Sequence, residues 1–172
     1  MVDYLDQFEL HLCLRVNALS RREFVRRFFS IVSWLGNYPA WLVLGIAVAL
    51  RQQAGALDFA ALAVATGLGG VLVYKGLKER LVRERPYVRH GEIVCGTAPL
   101  DRYSFPSGHT LHAVSLTILY GSYEPALLVV MVPFAVLVAA SRIVLGLHYP
   151  SDVIAGTAIG AVIGTTAVAL AG

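Results

Sequence analysis

Residues 28–50 read FFSIVSWLGNYPAWLVLGIAVAL, 23 positions without one Asp, Glu, Lys, Arg or His. A hydrocarbon layer about 30 Å thick is crossed by a helix of ~20 apolar residues, so this stretch places the chain in a membrane. Gly36, Asn37 and Pro39 interrupt it, and the interruption predicts two helices, 22 to 36 and 38 to 51, in place of one straight span. The composition agrees. Of 172 residues 57% are hydrophobic and 15% charged, with a mean hydropathy of +0.67, which excludes a disordered chain and a nucleic-acid-binding module.

Working outward, residues 3 to 19 place Tyr4, Leu5, Phe8, Leu12, Leu14 and Val16 among Asp3, Asp6, Glu9 and Arg15, an imperfect stripe that suits a helix lying in the interface. The first twenty residues lack the basic start, apolar middle and cleavage site of a signal peptide, so the mature chain is expected to begin at or near Met1. After the polar link RQQAGALD, residues 58 to 84 read as an apolar helix that turns basic and is closed by Pro86. Tyr87 to Pro106 is a loop that must leave the hydrocarbon, and apolar helices follow at 108 to 122, 125 to 146 and 151 to 171. The expected fold is all-α: one membrane-embedded domain over residues 1–172, a bundle of about six helices with an N-terminal interfacial helix.

Gly156, Gly160 and Gly164 recur every four residues, a spacing that lets helices approach closely in lipid. Packing inside the bundle is the preferred reading and a homodimer the alternative. Trp34, Tyr38 and Trp41 read as membrane-boundary aromatics. Cys13 and Cys95 are too few for a disulfide framework and read as free thiols.

The net charge of +3 comes from 14 Lys+Arg against 11 Asp+Glu, yet half of those cations, Lys75, Lys78, Arg80, Arg83, Arg85, Arg89 and Arg102, crowd between positions 75 and 102. Such a local excess suggests an anion site. Lys78 and Arg85 stand two helical turns apart and are expected on one helix face. Phe105–His109, FPSGH, opens the next helix with Ser107 as the expected N-cap, its free N–H groups facing the loop. Ser141–Asp152 joins the last two helices. If each helix crosses once, all three clusters meet on one side of the membrane and form a pocket of three cations, two imidazoles, a carboxylate and a helix start.

That set suits phosphoryl transfer: the cations and N–H groups hold the oxygens, one histidine attacks and the other supplies a proton. Asp152, four residues after His148, can orient its ring, which makes His148 the expected nucleophile and His109 the proton donor. His112 is read as a packed helix histidine, and the surplus cations, Arg83 among them, as headgroup or rim contacts. The acids and histidines have no compact ligand spacing, so neither a metal nor another cofactor is expected.

Written as patterns, KxxxxxxRP (Lys78 to Pro86), PSGH (Pro106 to His109) and SRxxxxxHxxxD (Ser141 to Asp152) resemble the three signatures of the type 2 phosphatidic acid phosphatase family, which is related to the vanadium haloperoxidases. The resemblance covers about residues 55–172; the first 50 residues carry no signature. It implies a metal-independent membrane lipid phosphatase that forms a phosphohistidine on His148, polarised by Asp152. His109 would protonate the leaving group, while Lys78, Arg85, Arg142, Ser107 and Gly108 would bind the phosphate.

The expected partners are membrane lipids and a lipid phosphate, with no nucleic acid. Undecaprenyl diphosphate or another polyprenyl diphosphate leads the substrates, followed by phosphatidylglycerophosphate and phosphatidate. A phosphotransferase acting on a second lipid is the alternative from the same chemistry, and a non-catalytic anion channel or lipid transporter the alternative from another class. The expected location is a bacterial inner membrane. RREFVRR and Arg51 argue for cytoplasmic ends there, and the resemblance for an active site on the extracytoplasmic face.

Overall fold

Gly36 and Pro39 divide the apolar stretch as the sequence predicts. In the computed structural model, which describes the backbone of residues 2–172 and side chains from Gln7 onward, helix α2 (Glu23–Leu35) stops before Gly36. Helix α3 (Pro39–Gln52) restarts with Pro39 in its first turn, where a missing N–H costs nothing. Before them lies α1 (Val2–Asn17); after them come α4 (Ala56–Leu81), the single turn α5 (Pro86–Arg89), α6 (Gly108–Tyr123), α7 (Leu128–Val144) and α8 (Pro150–Ala171). Apart from the single turn α5, six α-helices therefore follow α1, and no strand occurs among the described residues.

Helical stretches within Pro39–Arg89, Pro125–Val144 and Pro150–Ala171 are long and apolar enough to cross a membrane, and at most 28% of their most apolar 18-residue windows is buried inside the protein. Leu42, Ile46, Leu50, Leu68, Leu72, Val129 and Ile154 all point outward. Apolar side chains exposed at this density require hydrocarbon around them. The chain is an integral membrane protein.

Helix α6 is the central element, with Leu111, Ala113 and Leu119 wholly buried. The glycine stripe of α8 faces it: a Cβ at Gly156, Gly160 or Gly164 would stand 2.6, 2.5 or 2.9 Å from the carbonyl oxygens of Ser107, Leu111 and Ser115. Those glycines thus serve packing within the bundle. The close approach also sets the start of α6 beside the start of α8, where the Ser107 N–H donates to the Asp152 carbonyl at 3.0 Å.

On the other side of α6, Trp41, Val48, Phe59, Met131 and Val138 form the main core. Trp41 differs from its expected boundary position: it is buried, donating its indole N–H to the Gly36 carbonyl at 2.9 Å, while Trp34 and Tyr38 remain exposed.

Helix α1 lies across the end of the bundle where α7 stops and α8 begins. Asn17 ties it down, giving its side-chain N–H groups to Val94 O and Val144 O at 2.9 Å and accepting the Val94 N–H at 2.8 Å. Cys13 packs with Ile93 and Tyr149. Cys13 and Cys95 are both free. The expected roles of Asp3, Tyr4, Leu5 and Asp6 in an interfacial stripe concern side chains outside the described residues.

One boundary is corrected. The helix expected over 58 to 84 ends at Leu81, because Val82 turns left-handed (φ 43°, ψ 45°) and Arg85 is extended (φ −74°, ψ 151°). A residue preceding proline is pushed out of the helical region, and Pro86 imposes that on Arg85. Ser104 then takes up the freed carbonyls, its N–H donating to Arg83 O at 2.8 Å and its hydroxyl lying 3.2 Å from the carbonyls of Arg83 and Glu84. Lys78 and Arg85 therefore do not share a helix face.

Candidate active site

Three backbone devices bring the signature residues together. The hairpin at Pro86 turns Arg85 back toward Lys78. The turn after α7 closes on one acceptor, the Arg142 carbonyl, which takes the N–H of Leu147 at 3.0 Å and of His148 at 3.1 Å. This fold-back needs Gly146 in the left-handed region (φ +72°), where a Cβ would also meet Val94 O at 2.7 Å. Pro150 then starts α8, and Asp152 in its first turn accepts the Tyr149 N–H on Oδ2 at 2.8 Å. A carboxylate there also sits at the positive end of the helix.

The result is a cavity of about 30 Å³ lined by Lys78, Arg85, Asp101, Gly108, His109, Arg142 and His148, among others. It has room for a water molecule or so. Lys78 and Arg85 meet through a residue that the sequence reading left in the loop: Asp101 Oδ1 accepts Lys78 Nζ and Arg85 Nη2, both at 2.7 Å. Burial opposes ionisation of Asp101, but the hydrogen bond from Lys78 and the charges of Lys78 and Arg85 outweigh it and hold its carboxyl below the usual carboxylate range. Lys78 also donates to Tyr103 O at 2.7 Å, and Arg85 to Leu147 O at 2.8 Å.

Arg142 is buried, donates to the Ser33 hydroxyl, and leaves its Nε without a partner. Three cations against one carboxylate leave the cavity with two positive charges, the complement of a phosphate dianion.

His148 is buried beside them, with Nε2 3.2 Å from Arg85 Nη1. A guanidinium offers only donors, so Nε2 carries the lone pair and Nδ1 the proton. Burial, reinforced by the charges of Arg142, Arg85 and Lys78, holds the imidazole well below its ordinary pKa. It is therefore neutral at pH 7, as a nucleophile must be.

Behind it, Nδ1 lies 3.7 Å from Asp152 Oδ2, which is close but beyond hydrogen-bond length. Asp152 bonds Arg83 instead, through Oδ1 at 2.7 Å. Arg83 is thus no rim cation. Its guanidinium also reaches Glu9 at 2.8 Å and Ser151 Oγ at 2.7 Å.

His109 lines the same cavity from the start of α6. His112, one turn further, packs edge-on to Tyr74 and borders the cavity. Ser107 stands apart. It occupies the N-cap position without a side-chain cap, its hydroxyl pairs with Thr110 Oγ1 at 2.9 Å, its N–H is taken by Asp152 O, and it does not line the cavity. The approach of α8 at Gly156 claims that N–H before an anion can. Gly108 does line the cavity.

A second, apolar cavity of about 530 Å³ runs between α3, α4 and α6 along Trp41, Ile46, Phe59, Val64, Leu68 and Leu116. It shares Asn37, Tyr38 and His112 with the charged one. A charged pocket thus adjoins an apolar groove in the bilayer-facing wall.

The sequence profile of the PAP2 superfamily matches residues 58–171. The chain belongs to the PAP2 superfamily. Among curated relatives, it is 36% identical to the decaprenylphosphoryl-5-phosphoribose phosphatase of Mycolicibacterium smegmatis over 147 residues, 81% of this chain and 75% of that one. It is 35% identical over 89 residues to the lipid A 1-phosphatase of Rhizobium johnstonii, which spans 49% of this chain and 36% of that one.

Among solved structures, the PAP2-type phosphatidylglycerolphosphate phosphatase of Bacillus subtilis superimposes with a TM-score of 0.79 at 21% identity, covering 98% of this chain and 86% of the other. LpxE of Aquifex aeolicus gives 0.78 at 23% identity, covering 93% and 94%. These two show a common fold. As a PAP2 protein with phosphatase relatives, the chain is a phosphate hydrolase embedded in a membrane.

Of the PAP2 chain's functional neighbourhood, the sequence reading missed Asp101, Arg83 and Glu9. Arg83 stands two residues before Arg85 in the cation-rich stretch 75–102, and that nearness was its one signal. For Glu9, 74 residues from its partner, the sequence carried no signal.

Proposed function

We propose that this PAP2 protein removes a terminal phosphate from a membrane lipid through a phosphohistidine on His148. The observation that carries this reading is His148, with Nε2 3.2 Å from the Arg85 guanidinium, lining a cavity of net positive charge that adjoins an apolar groove. The phosphate sits among Lys78, Arg85 and Arg142, with the Gly108 backbone beside it, and displaces Asp101. Nε2 attacks phosphorus as the bond to the lipid oxygen breaks; that oxygen keeps the electron pair and takes a proton from His109. Water then attacks the phosphohistidine, the N–P bond returns its pair to Nε2, and His109 recovers a proton from the water. Asp152 stabilises the ring as charge develops on it, and Ser107 supports the helix start from behind. The tail occupies the groove between α3, α4 and α6, which is of a size common for lipid and ligand pockets.

The site faces the extracytoplasmic side of a bacterial inner membrane in this reading. Substrate candidates are undecaprenyl diphosphate, phosphatidylglycerophosphate and phosphatidate, to which the relatives add lipids whose phosphate is carried on a sugar. Released phosphate from a detergent-solubilised panel of these lipids, with His148→Ala as control, tests the proposal. Activity is expected to survive chelators and to fall with orthovanadate, which adopts the five-coordinate geometry of the transferring phosphoryl group. A requirement for added magnesium would overturn it.

The Asp101 carboxylate makes a second expectation. An incoming anion must replace two charge-assisted bonds of 2.7 Å, so Asp101→Asn is expected to tighten orthovanadate inhibition by about tenfold, roughly 1.4 kcal/mol. Without vanadate the variant is expected to melt lower, since Lys78 and Arg85 lose their counter-ion. Weaker vanadate inhibition would show that Asp101 helps to bind the anion.

A further inference from the structure

Helix α1 carries no PAP2 signature and lies outside the matched residues 58–171, yet it reaches the catalytic pair through a chain of four charge-assisted hydrogen bonds. Glu9 Oε2 accepts Arg83 Nη2 at 2.8 Å, and Glu9 Oε1 accepts the Ser151 N–H at 2.7 Å, at the positive end of α8. Arg83 Nη1 in turn donates to Asp152 Oδ1 and to Ser151 Oγ, both at 2.7 Å. The guanidinium carbon of Arg83 lies over Tyr149, 4.1 Å from the ring centroid. Its backbone carbonyl is fixed by Ser104. Both Asp152 oxygens are therefore spoken for, Oδ1 by Arg83 and Oδ2 by the Tyr149 N–H, and the plane of the carboxylate is set by residues at positions the signatures leave unspecified.

We infer that Arg83, held by Glu9 of α1, positions the Asp152 carboxylate behind His148, which makes α1 part of the catalytic unit. The inference rests on the reading of His148 as nucleophile. The physical case is a matter of competing partners. Asp152 is fully buried, and among the described residues Arg83 is the one Lys or Arg bound to it. Without that guanidinium, a buried carboxylate loses its countercharge and one of its two anchors. It then turns toward the nearest remaining donor, the Nδ1–H of His148 at 3.7 Å, and drags the ring away from the line of attack. Displacement of a reacting group by about 1 Å costs on the order of a hundredfold in rate. Glu9 acts one step further out, by restraining the second arm of Arg83 while anchoring the first turn of α8. Neither Arg83 nor Glu9 lines the phosphate cavity, so both are positioning residues and neither contributes directly to phosphate affinity.

The test compares Arg83→Met, Arg83→Lys, Glu9→Ala and Glu9→Gln with the unmodified protein in detergent. Turnover of dioctanoyl phosphatidate and the rate of phosphohistidine formation are both expressed per orthovanadate-binding site, so that misfolded protein does not count. The expected result is a ten- to hundredfold fall in kcat and in phosphohistidine formation for Arg83→Met, with KM and the vanadate Kd within about twofold. Glu9→Ala should fall less, and Arg83→Lys, which keeps the charge but loses the fork, should recover part of the loss. Glu9→Gln, which keeps the shape, should lie between Glu9→Ala and the unmodified protein.

An unchanged kcat per vanadate site overturns the inference, including the case in which the yield of folded protein alone declines. So does a loss of vanadate affinity in parallel with rate, the mark of general structural damage. Failure of the underlying reading looks different, because His148→Ala would then retain turnover and form phosphoenzyme whatever happens at Arg83.

Discussion

His148→Ala is expected to reduce phosphate release by at least ~10⁴-fold, the scale on which covalent catalysts lose activity when the attacking side chain is removed. The substitution leaves the cavity cations in place, and it removes a buried ring whose one hydrogen-bond contact among the described residues is with Arg85. Binding of orthovanadate should therefore persist, weakened by no more than the loss of a covalent-like contact. His109→Ala is expected to behave differently. A proton donor matters most where the departing oxygen is basic, so its loss should be large for alkyl lipid phosphates and small for p-nitrophenyl phosphate. Acid-labile, base-stable radioactivity on the protein after brief exposure to labelled substrate reports the phosphohistidine. Its presence in His148→Ala would remove that residue from the role of nucleophile, and an equal loss for both leaving groups in His109→Ala would remove His109 from the role of donor.

The parts of this arrangement that were legible in the sequence are those governed by short-range rules. Gly36 and Pro39 announce the α2–α3 break because both act on their own backbone. The glycine stripe of α8 announces close packing, since four-residue spacing puts all three glycines on one face, and the signature residues stand out by type and interval. What escaped depends on contacts that no local rule contains. Val82 adopts a left-handed conformation that sequence alone disfavours, and it does so where Ser104, more than 20 residues later, takes up the carbonyls of Arg83 and Glu84. In sequence Asp101 looks like an ordinary member of a charged loop and Arg83 like a headgroup cation at the end of the helix read over 58 to 84; their partners lie 16 to 74 residues away. Ser107 has the right residue type for an N-cap and for holding an anion, but its N–H is taken by Asp152 O once Gly156 lets α8 come near. Trp41 was placed at the membrane boundary by its type; the Gly36 carbonyl left over at the helix break supplies its indole with a partner inside.

Arg142→Met is expected to raise stability and destroy activity at once. Lys78 and Arg85 share the Asp101 carboxylate, whereas Arg142 is buried with no carboxylate partner among the described residues, only the Ser33 hydroxyl, and its Nε is unbonded. Removing a guanidinium from water costs several kcal/mol, which a hydroxyl does not offset. In the empty enzyme Arg142 therefore opposes folding, and a phosphate brings the missing countercharge. A methionine of similar length fills the space without charge, and the Ser33 hydroxyl can turn to a carbonyl of its own helix. The expected gain is about 1–3 kcal/mol, read as a melting temperature several degrees higher in anion-free detergent. The expected loss in kcat/KM is roughly 10²–10³-fold, the scale of deleting one side of a buried charge-assisted contact. Added vanadate should stabilise the unmodified protein but barely move the variant. Lys78→Met should do the opposite in the empty state, since it leaves Asp101 short of a partner and lowers the melting temperature. If Arg142→Met melts lower than the unmodified protein, Arg142 is a structural cation with a partner in the fold, and the cavity does not hold a guanidinium in wait for an anion.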